Sequence, residues 1–177
     1  MDILLEILPG CFLIKPQKHA DHRGWFVKTY NEALYERLEI CFTIREEFIS
    51  ISHKNVLRGM HFQLPPHDHD KLVYCANGLV LDVLLDLRMG AGYGKAASAQ
   101  ISSENNQIIF IPKGVAHGFL ALSDQALMIY KTSTNHAPES DFGIAWDSFE
   151  FNWGIDQPIT SERDRLNIPF HEFSSPF

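Results

Sequence analysis

The chain has 177 residues, 45% of them hydrophobic and 21% charged, with a formal net charge of −7 at pH 7. Such a length and composition suit one domain spanning residues 1–177, bury roughly two thirds of the unfolded surface and exclude a disordered chain. The acidic balance excludes a general nucleic-acid binder, which needs a basic stripe to neutralise phosphates, but it permits a local basic pocket for one small anion.

The N-terminal stretch MDILLEILPG carries acidic residues where a secretory signal needs a basic flank. No apolar run approaches the ~20 residues of a membrane span. Cys11, Cys41 and Cys75 are widely spaced with no CxxC pair, so free thiols in a reducing cytoplasm are expected and membrane association is not.

Short β-rich runs then follow one another: CFLIKP (11–16), GWFVKTY (24–30), EFISIS (47–52), VLRGMHF (56–62), KLVYCA (71–76), LVLDVLLDL (79–87), QIIFIP (107–112), HGFLAL (117–122) and LMIYKTS (127–133). Gly, Pro, Asn and Asp punctuate them, the pattern of an antiparallel sandwich or barrel. NEALYERLEI (31–40) is the one clear helix, with Asn31 as N-cap and Leu34, Tyr35 and Leu38 on one face. LVLDVLLDL would also suit a buried helix, but Asn77-Gly78 before it is a hairpin-type turn signal, and a strand is expected.

His61, His67 and His69 crowd into VLRGMHFQLPPHDHDK (56–71) and raise the question of a metal. IPKGVAHGF places Pro112, Gly114 and His117 in the P-x-G-x-x-H pattern found at the mouth of cupin barrels. A metal-binding cupin also needs a glutamate seven residues before its turn glycine. Counting back from Gly78 lands on Lys71, and an ammonium offers no lone pair and repels a cation. His67 and His69 sit in a Pro-Asp-His loop with the composition of a solvated turn. No metal or other cofactor is expected.

His61, Arg58, Lys71, His117 and Tyr130 remain near strand ends. An imidazole with a pKa near 6.5 can take a proton from carbon beside a carbonyl if the enolate is stabilised. Lys and Arg supply fixed positive charge for that purpose, and a tyrosine hydroxyl can return a proton.

DHRGWF (21–26), NVLRGMHFQ (55–63), KLVYCANGLVLDVLLDLR (71–88), IPKGVAHGF (111–119), the Tyr-Lys of IYKTS, APESDFGIAWD (137–147) and SERD (161–164) resemble, in order, the motifs of the dTDP-4-dehydrorhamnose 3,5-epimerase family. The resemblance implies an all-β cupin-like jelly roll with a few short helices. It also implies a homodimer acting without metal on a nucleotide-diphospho-4-keto-6-deoxy sugar. By motif, His61 would be the base at C3 or C5, Asp164 its orienting carboxylate, Tyr130 the acid on the opposite face, and Lys71 the partner of the C4 enolate oxygen. Arg23 and Arg58 would hold the diphosphate, with His117 nearby.

Several positions depart from that family's pattern. Lys28 stands where an acidic residue is usual, and Glu46, Glu47 and Phe48 replace a Gln-Asp-Asn-like stretch. Asn135 and His136 replace paired tyrosines, Asp141 replaces a glutamate, and Arg163 replaces a lysine. Lys28, Glu46, Asp141 and Arg163 are therefore candidates for reading the base or sugar, and dTDP, CDP and GDP all remain open as the nucleotide. A 3,4-ketoisomerase on a similar sugar, a metal-dependent cupin enzyme and a non-catalytic sugar-binding cupin are the alternatives. Met60 beside the base, Lys71, and the joint presence of acid and base respectively oppose them.

Overall fold

A computed structural model describes all of residues 1–177. Thirteen strands run in chain order: β1 Asp2–Leu8, β2 Cys11–Lys15, β3 Lys18–Asp21, β4 Gly24–Val27, β5 Glu46–Ser52, β6 Leu57–Gln63 and β7 Lys71–Asn77. They continue as β8 Leu79–Asp86, β9 Ala96–Ser102, β10 Ile108–Ile111, β11 Val115–Ala121, β12 Ala126–Thr132 and β13 Asp141–Gly143. Two short α-helices, α1 Glu32–Glu36 and α2 Glu162–Arg165, and two single-turn 3-10 helices, Pro138–Ser140 and Phe170–Glu172, complete the regular structure. No helix is long and apolar enough to cross a membrane.

Every expected run contains a strand. One sheet has the order β1-β2-β10-β7-β12-β5 and the other β13-β6-β11-β8-β9, while β3 and β4 form a separate hairpin. All pairings between these strands are antiparallel. β1, β3, β9 and β13 are additional to the sequence reading. The β9 segment AASAQIS has too few branched or aromatic residues to read as a strand, and it forms by pairing with β8 from Leu79↔Ser102 to Leu85↔Ala96.

Two local expectations are corrected. The helix spans only Glu32–Glu36: Asn31 caps it by accepting from Leu34 N, but Glu39 has a φ of +60° and the chain turns back there. This fold-back buries Ile40 beside Tyr35 instead of extending the helix. Asn77-Gly78 does make a turn, with Gly78 at φ +83°, yet the strands it joins lie in different sheets. The turn carries the chain across the sandwich and closes no hairpin.

The period-2 alternation of β8 decides what each face does. Val80 and Leu84 face the space between the sheets, packing with Val73, Ile109, Phe119 and Met128. Val83 and Leu85 point the other way, under a C-terminal cover that includes Trp153 and Phe173. Leu72, Ile108 and Phe110 of the first sheet pack outward beneath Tyr35, Ile40 and Phe42. Both sheets are thus covered outside.

Candidate active site

Alternation brings the site together. On β11, Val115, Phe119 and Ala121 belong to the inner core, so His117 faces inward with them. His117 pairs with His61 across β6. This close approach depends on glycine: a Cβ on Gly59, at φ +141°, would lie 2.5 Å from Gly118 Cα. From the opposite sheet, Lys71 pairs with Thr132, and Tyr130 pairs with Val73 on one side and Phe48 on the other. Two sheets thus present basic and acidic groups to one space.

That space has two lobes sharing Phe48, His61 and Lys71. The outer lobe, a cavity of about 280 Å³, is also lined by Glu46, Gln63, His69, His136, Asp141 and Arg163. The inner lobe, about 270 Å³, adds Ser50, Arg58, His117, Phe119 and Tyr130.

His61 Nε2 donates to Asp164 Oδ1 at 2.6 Å, which leaves Nδ1 as the nitrogen with a lone pair. Burial would raise the Asp164 carboxyl. The His61 hydrogen bond and charge, with the Gly59 amide and Ser161, more than offset it and hold the group below its ordinary value. Ser161 caps α2 by accepting from Asp164 N at 3.0 Å, fixing the carboxylate that fixes the imidazole.

Lys71 is buried, and its ammonium donates to the His61 carbonyl at 3.0 Å. Desolvation pulls its pKa from 10.5 to about 8, against the raising influence of Asp141 and Asp82 and with a further lowering by Arg163. Tyr130 is buried too, and desolvation keeps its hydroxyl protonated well above the ordinary range. Its ring stacks on Phe48 with centroids 4.7 Å apart, and its hydroxyl lies 3.1 Å from Ser50 Oγ. Arg58 donates to Ser52 Oγ and to the Ile51 carbonyl, leaving its guanidinium beside the inner lobe.

A second carboxylate–imidazole pair lies behind the first. Asp82 Oδ2 accepts from His117 Nε2 at 2.8 Å with both side chains buried. Burial raises the Asp82 carboxyl, opposed by His117 and Lys71, and Asp82 Oδ1 has no partner. The sequence signal for Asp82 was an acid on the inward phase of the apolar run LVLDVLLDL.

Of the expected site residues, His61, Lys71, Tyr130, Arg58, His117, Glu46, Asp141 and Arg163 line the two lobes, and Asp164 backs His61. Arg163 Nη2 donates to Asp141 Oδ1 at 2.7 Å, and the His136 amide donates to Glu46 at 2.6 Å. Two of the expected residues lie outside both lobes of their own chain. Arg23 sits on the exposed β3–β4 hairpin, paired with Asp21 at 2.7 Å. Lys28 lies in a separate groove with Gln17, His19 and Arg37. The solvated-loop reading of His69 also fails, because the loop folds back over Gln63 and half-buries that imidazole in the outer lobe. No group of three or more His, Cys, Asp or Glu side chains is arranged to hold a metal ion.

The family model for dTDP-4-dehydrorhamnose 3,5-epimerase matches residues 6–172. The chain belongs to that family. It is 41% identical to the dTDP-4-dehydrorhamnose 3,5-epimerase of Methanothermobacter thermautotrophicus, over 93% of this chain and 92% of that protein. The Escherichia coli protein of the same name is 39% identical, over 91% and 87%. Among solved structures, a dTDP-6-deoxy-D-glucose-3,5-epimerase of Legionella pneumophila in complex with dTDP-4-keto-L-rhamnose superposes with a TM-score of 0.93. It is 31% identical and covers 98% of this chain and 94% of its own. The two-sheet sandwich is accordingly the cupin-like jelly roll of these epimerases. As a member of the dTDP-4-dehydrorhamnose 3,5-epimerase family, the chain is an isomerase of the epimerase class.

Proposed function

We propose that this epimerase acts on a nucleotide-diphospho-4-keto-6-deoxy sugar, with dTDP as the nucleotide its relatives' names favour, inverting C3, C5 or both. The observation carrying this reading is the placement of His61 and Tyr130 on opposite sheets, with Lys71 lining the same lobe. His61 Nδ1 removes the proton from carbon beside the C4 ketone, and Asp164 stabilises the imidazolium that results. The electron pair moves onto the C4 oxygen as an enolate, which the Lys71 ammonium stabilises. Tyr130 gives its proton to the opposite face of the same carbon, and exchange with solvent resets both groups. His117, held by Asp82, contacts the sugar, and Arg58 holds the diphosphate. Glu46, Asp141 and Arg163 read the remainder of the sugar nucleotide from the outer lobe.

The reading extends to a homodimer. Arg23 is outside the pocket of its own chain, on a hairpin that exposes Trp25 and Phe26. Edge strand β5 exposes Ile49 (61%) and Ile51 (54%), and edge strand β1 exposes Leu4 and Leu5. Unpaired edges with apolar side chains suit coverage by a second copy. In that arrangement the hairpin brings Arg23 to the neighbouring chain's diphosphate. The three free thiols fit the reducing cytoplasm.

Solvent deuterium incorporation followed by NMR, with dTDP-, CDP- and GDP-4-keto-6-deoxy sugars, tests the reaction and the nucleotide together. Exchange at C3, C5 or both is expected with at least one of the three. His61→Ala should abolish it at both carbons, whereas Tyr130→Phe should retain proton removal and impair inversion. Absence of exchange with every substrate in a folded enzyme overturns the epimerase assignment.

A further inference from the structure

Glu46, Phe48, Ser50 and Ser52 share one face of β5, and each meets the site. Glu46 lines the outer lobe, Phe48 both lobes and Ser50 the inner lobe, while Ser52 Oγ accepts from Arg58 Nε at 3.0 Å. Phe48 is the one that core packing does not explain. It is 45% exposed and belongs to none of the three buried clusters. What it does contact is Tyr130, its cross-strand partner, whose ring lies 4.7 Å away between centroids at an interplanar angle of 12°. Val73 flanks Tyr130 on the β7 side, and the His117 ring stands edge-on at 6.1 Å. β5 ends the sheet, so Phe48 is the cross-strand neighbour on the remaining side.

Conjugation with the ring keeps a phenolic O–H in the ring plane. Rotation about the Cβ–ring bond is soft, so neighbouring groups choose that plane. We propose that Phe48 is a positioning residue for the acid, its parallel stack fixing the plane of the Tyr130 ring and so the direction in which the phenolic proton leaves. Ser50 completes the setting. Its hydroxyl, 3.1 Å from Tyr130 Oη, donates to the in-plane lone pair on its own side and leaves the tyrosine proton in the other in-plane direction, free for the substrate. Phe48 touches no reacting atom in this role and acts through Tyr130. It stands where the family pattern has a Gln-Asp-Asn-like stretch. An amide side chain has no ring to stack, so this chain holds its acid by a contact that the pattern does not supply.

This inference rests on the epimerase reading, but its first test needs no substrate. The ring-proton NMR signals of Tyr130, assigned with Tyr130→Phe, should lie upfield under the ring current of Phe48 and move back in Phe48→Leu. Signals that stay in place overturn the stack.

The second test follows the enolate in D2O with dTDP-4-keto-6-deoxyglucose or its CDP or GDP counterpart. Return of a deuteron from the His61 side leaves the configuration unchanged, whereas delivery by Tyr130 inverts it. Both outcomes arise from one enolate. The initial ratio of inverted product to deuterated, uninverted substrate, at the carbon where Tyr130→Phe impairs inversion, therefore reports delivery alone and is independent of how much enzyme is folded. Phe48→Leu keeps apolar bulk without a ring and should lower that ratio about fivefold, the usual worth of an aromatic pair, with KM nearly unchanged. Phe48→Tyr, which keeps a ring, should recover most of the loss. In Tyr130→Phe enzyme, which has no proton to aim, adding Phe48→Leu should change the ratio no further. A ratio unaffected by Phe48→Leu overturns the proposal. A loss that persists in the Tyr130→Phe background overturns it too, because Phe48 would then act on the substrate directly. Wild-type enzyme that exchanges and inverts while its ratio ignores Phe48 removes only the positioning role, whereas wild-type enzyme that never exchanges removes the epimerase reading and the role with it.

Discussion

Lys71 is held in its charged state where the interior offers little water, and this has opposite consequences for stability and for chemistry. Its pKa is lowered from 10.5 to about 8 by burial. Below pH 8 both folded and unfolded chains carry the proton and the full desolvation penalty is present. Between about pH 8 and 10.5 the folded chain sheds the proton first, so stability rises with pH across that window. At roughly 1.4 kcal/mol per tenfold change in proton affinity, Lys71→Met should stabilise the protein at pH 7 by up to about 3 kcal/mol. Urea denaturation at pH 7 and pH 10 checks this, with a smaller gain expected at the higher pH. The same substitution should abolish epimerisation. In the native enzyme kcat/KM should fall as pH rises through about 8, because the enolate loses its ammonium. At this scale Asp164 entered only through the resemblance of SERD to a family motif, whereas the candidate groups His61, Tyr130 and Lys71 were legible from residue type. Asp82 and His69 were not, because the first is hidden in an apolar run and the second in a loop of polar composition.

Single elements explain why those side chains hold their positions. α2 is one turn long, and its N-cap Ser161 is what keeps Asp164 facing His61. Ser161→Ala should destabilise the protein by about 1 kcal/mol. It should also lower kcat by more than it changes KM, since the loosened carboxylate orients the base and does not bind substrate. Chemical denaturation and initial-rate kinetics on one preparation would check both. Strand type was legible wherever branched and aromatic residues alternate, as in LMIYKTS and QIIFIP. It was hidden in AASAQIS, whose residues become a strand only because β8 offers an edge to pair with. The helix at 31–40 failed for a related reason. Its propensity and cap were right, but burying Ile40 and Phe42 against the outer face of the first sheet required the chain to turn after Glu36.

At the scale of the whole molecule, the separation of Arg23 from the pocket and the apolar edges of the first sheet point the same way. Replacing Ile49 and Ile51 together by lysine should halve the mass measured by sedimentation, since each edge would bury a charge. If Arg23 serves the neighbouring chain's site, this monomeric variant should show the same loss of dTDP affinity as Arg23→Ala. A variant that remains dimeric, or a monomer with full dTDP affinity, would separate the β5 edge from the site.

Alternation and side-chain chemistry are local properties carried by each strand, so the antiparallel sandwich and the candidate acid, base and cation could be read from the chain alone. The sequence also excluded a cupin metal carboxylate at position 71, where Lys71 stands. Which strands share a sheet, and with that which residues face one another, is set by long-range packing. Asn77-Gly78 turns the chain either within a sheet or between sheets, and packing on both faces of β7 and β8 settles which. The placement of His69 beside Gln63, the pairing of His117 with Asp82 and the position of Arg23 outside its own pocket follow from those long-range contacts. Burial and hydrogen-bond partners set each of them, and neither can be read from residues that are neighbours only in sequence.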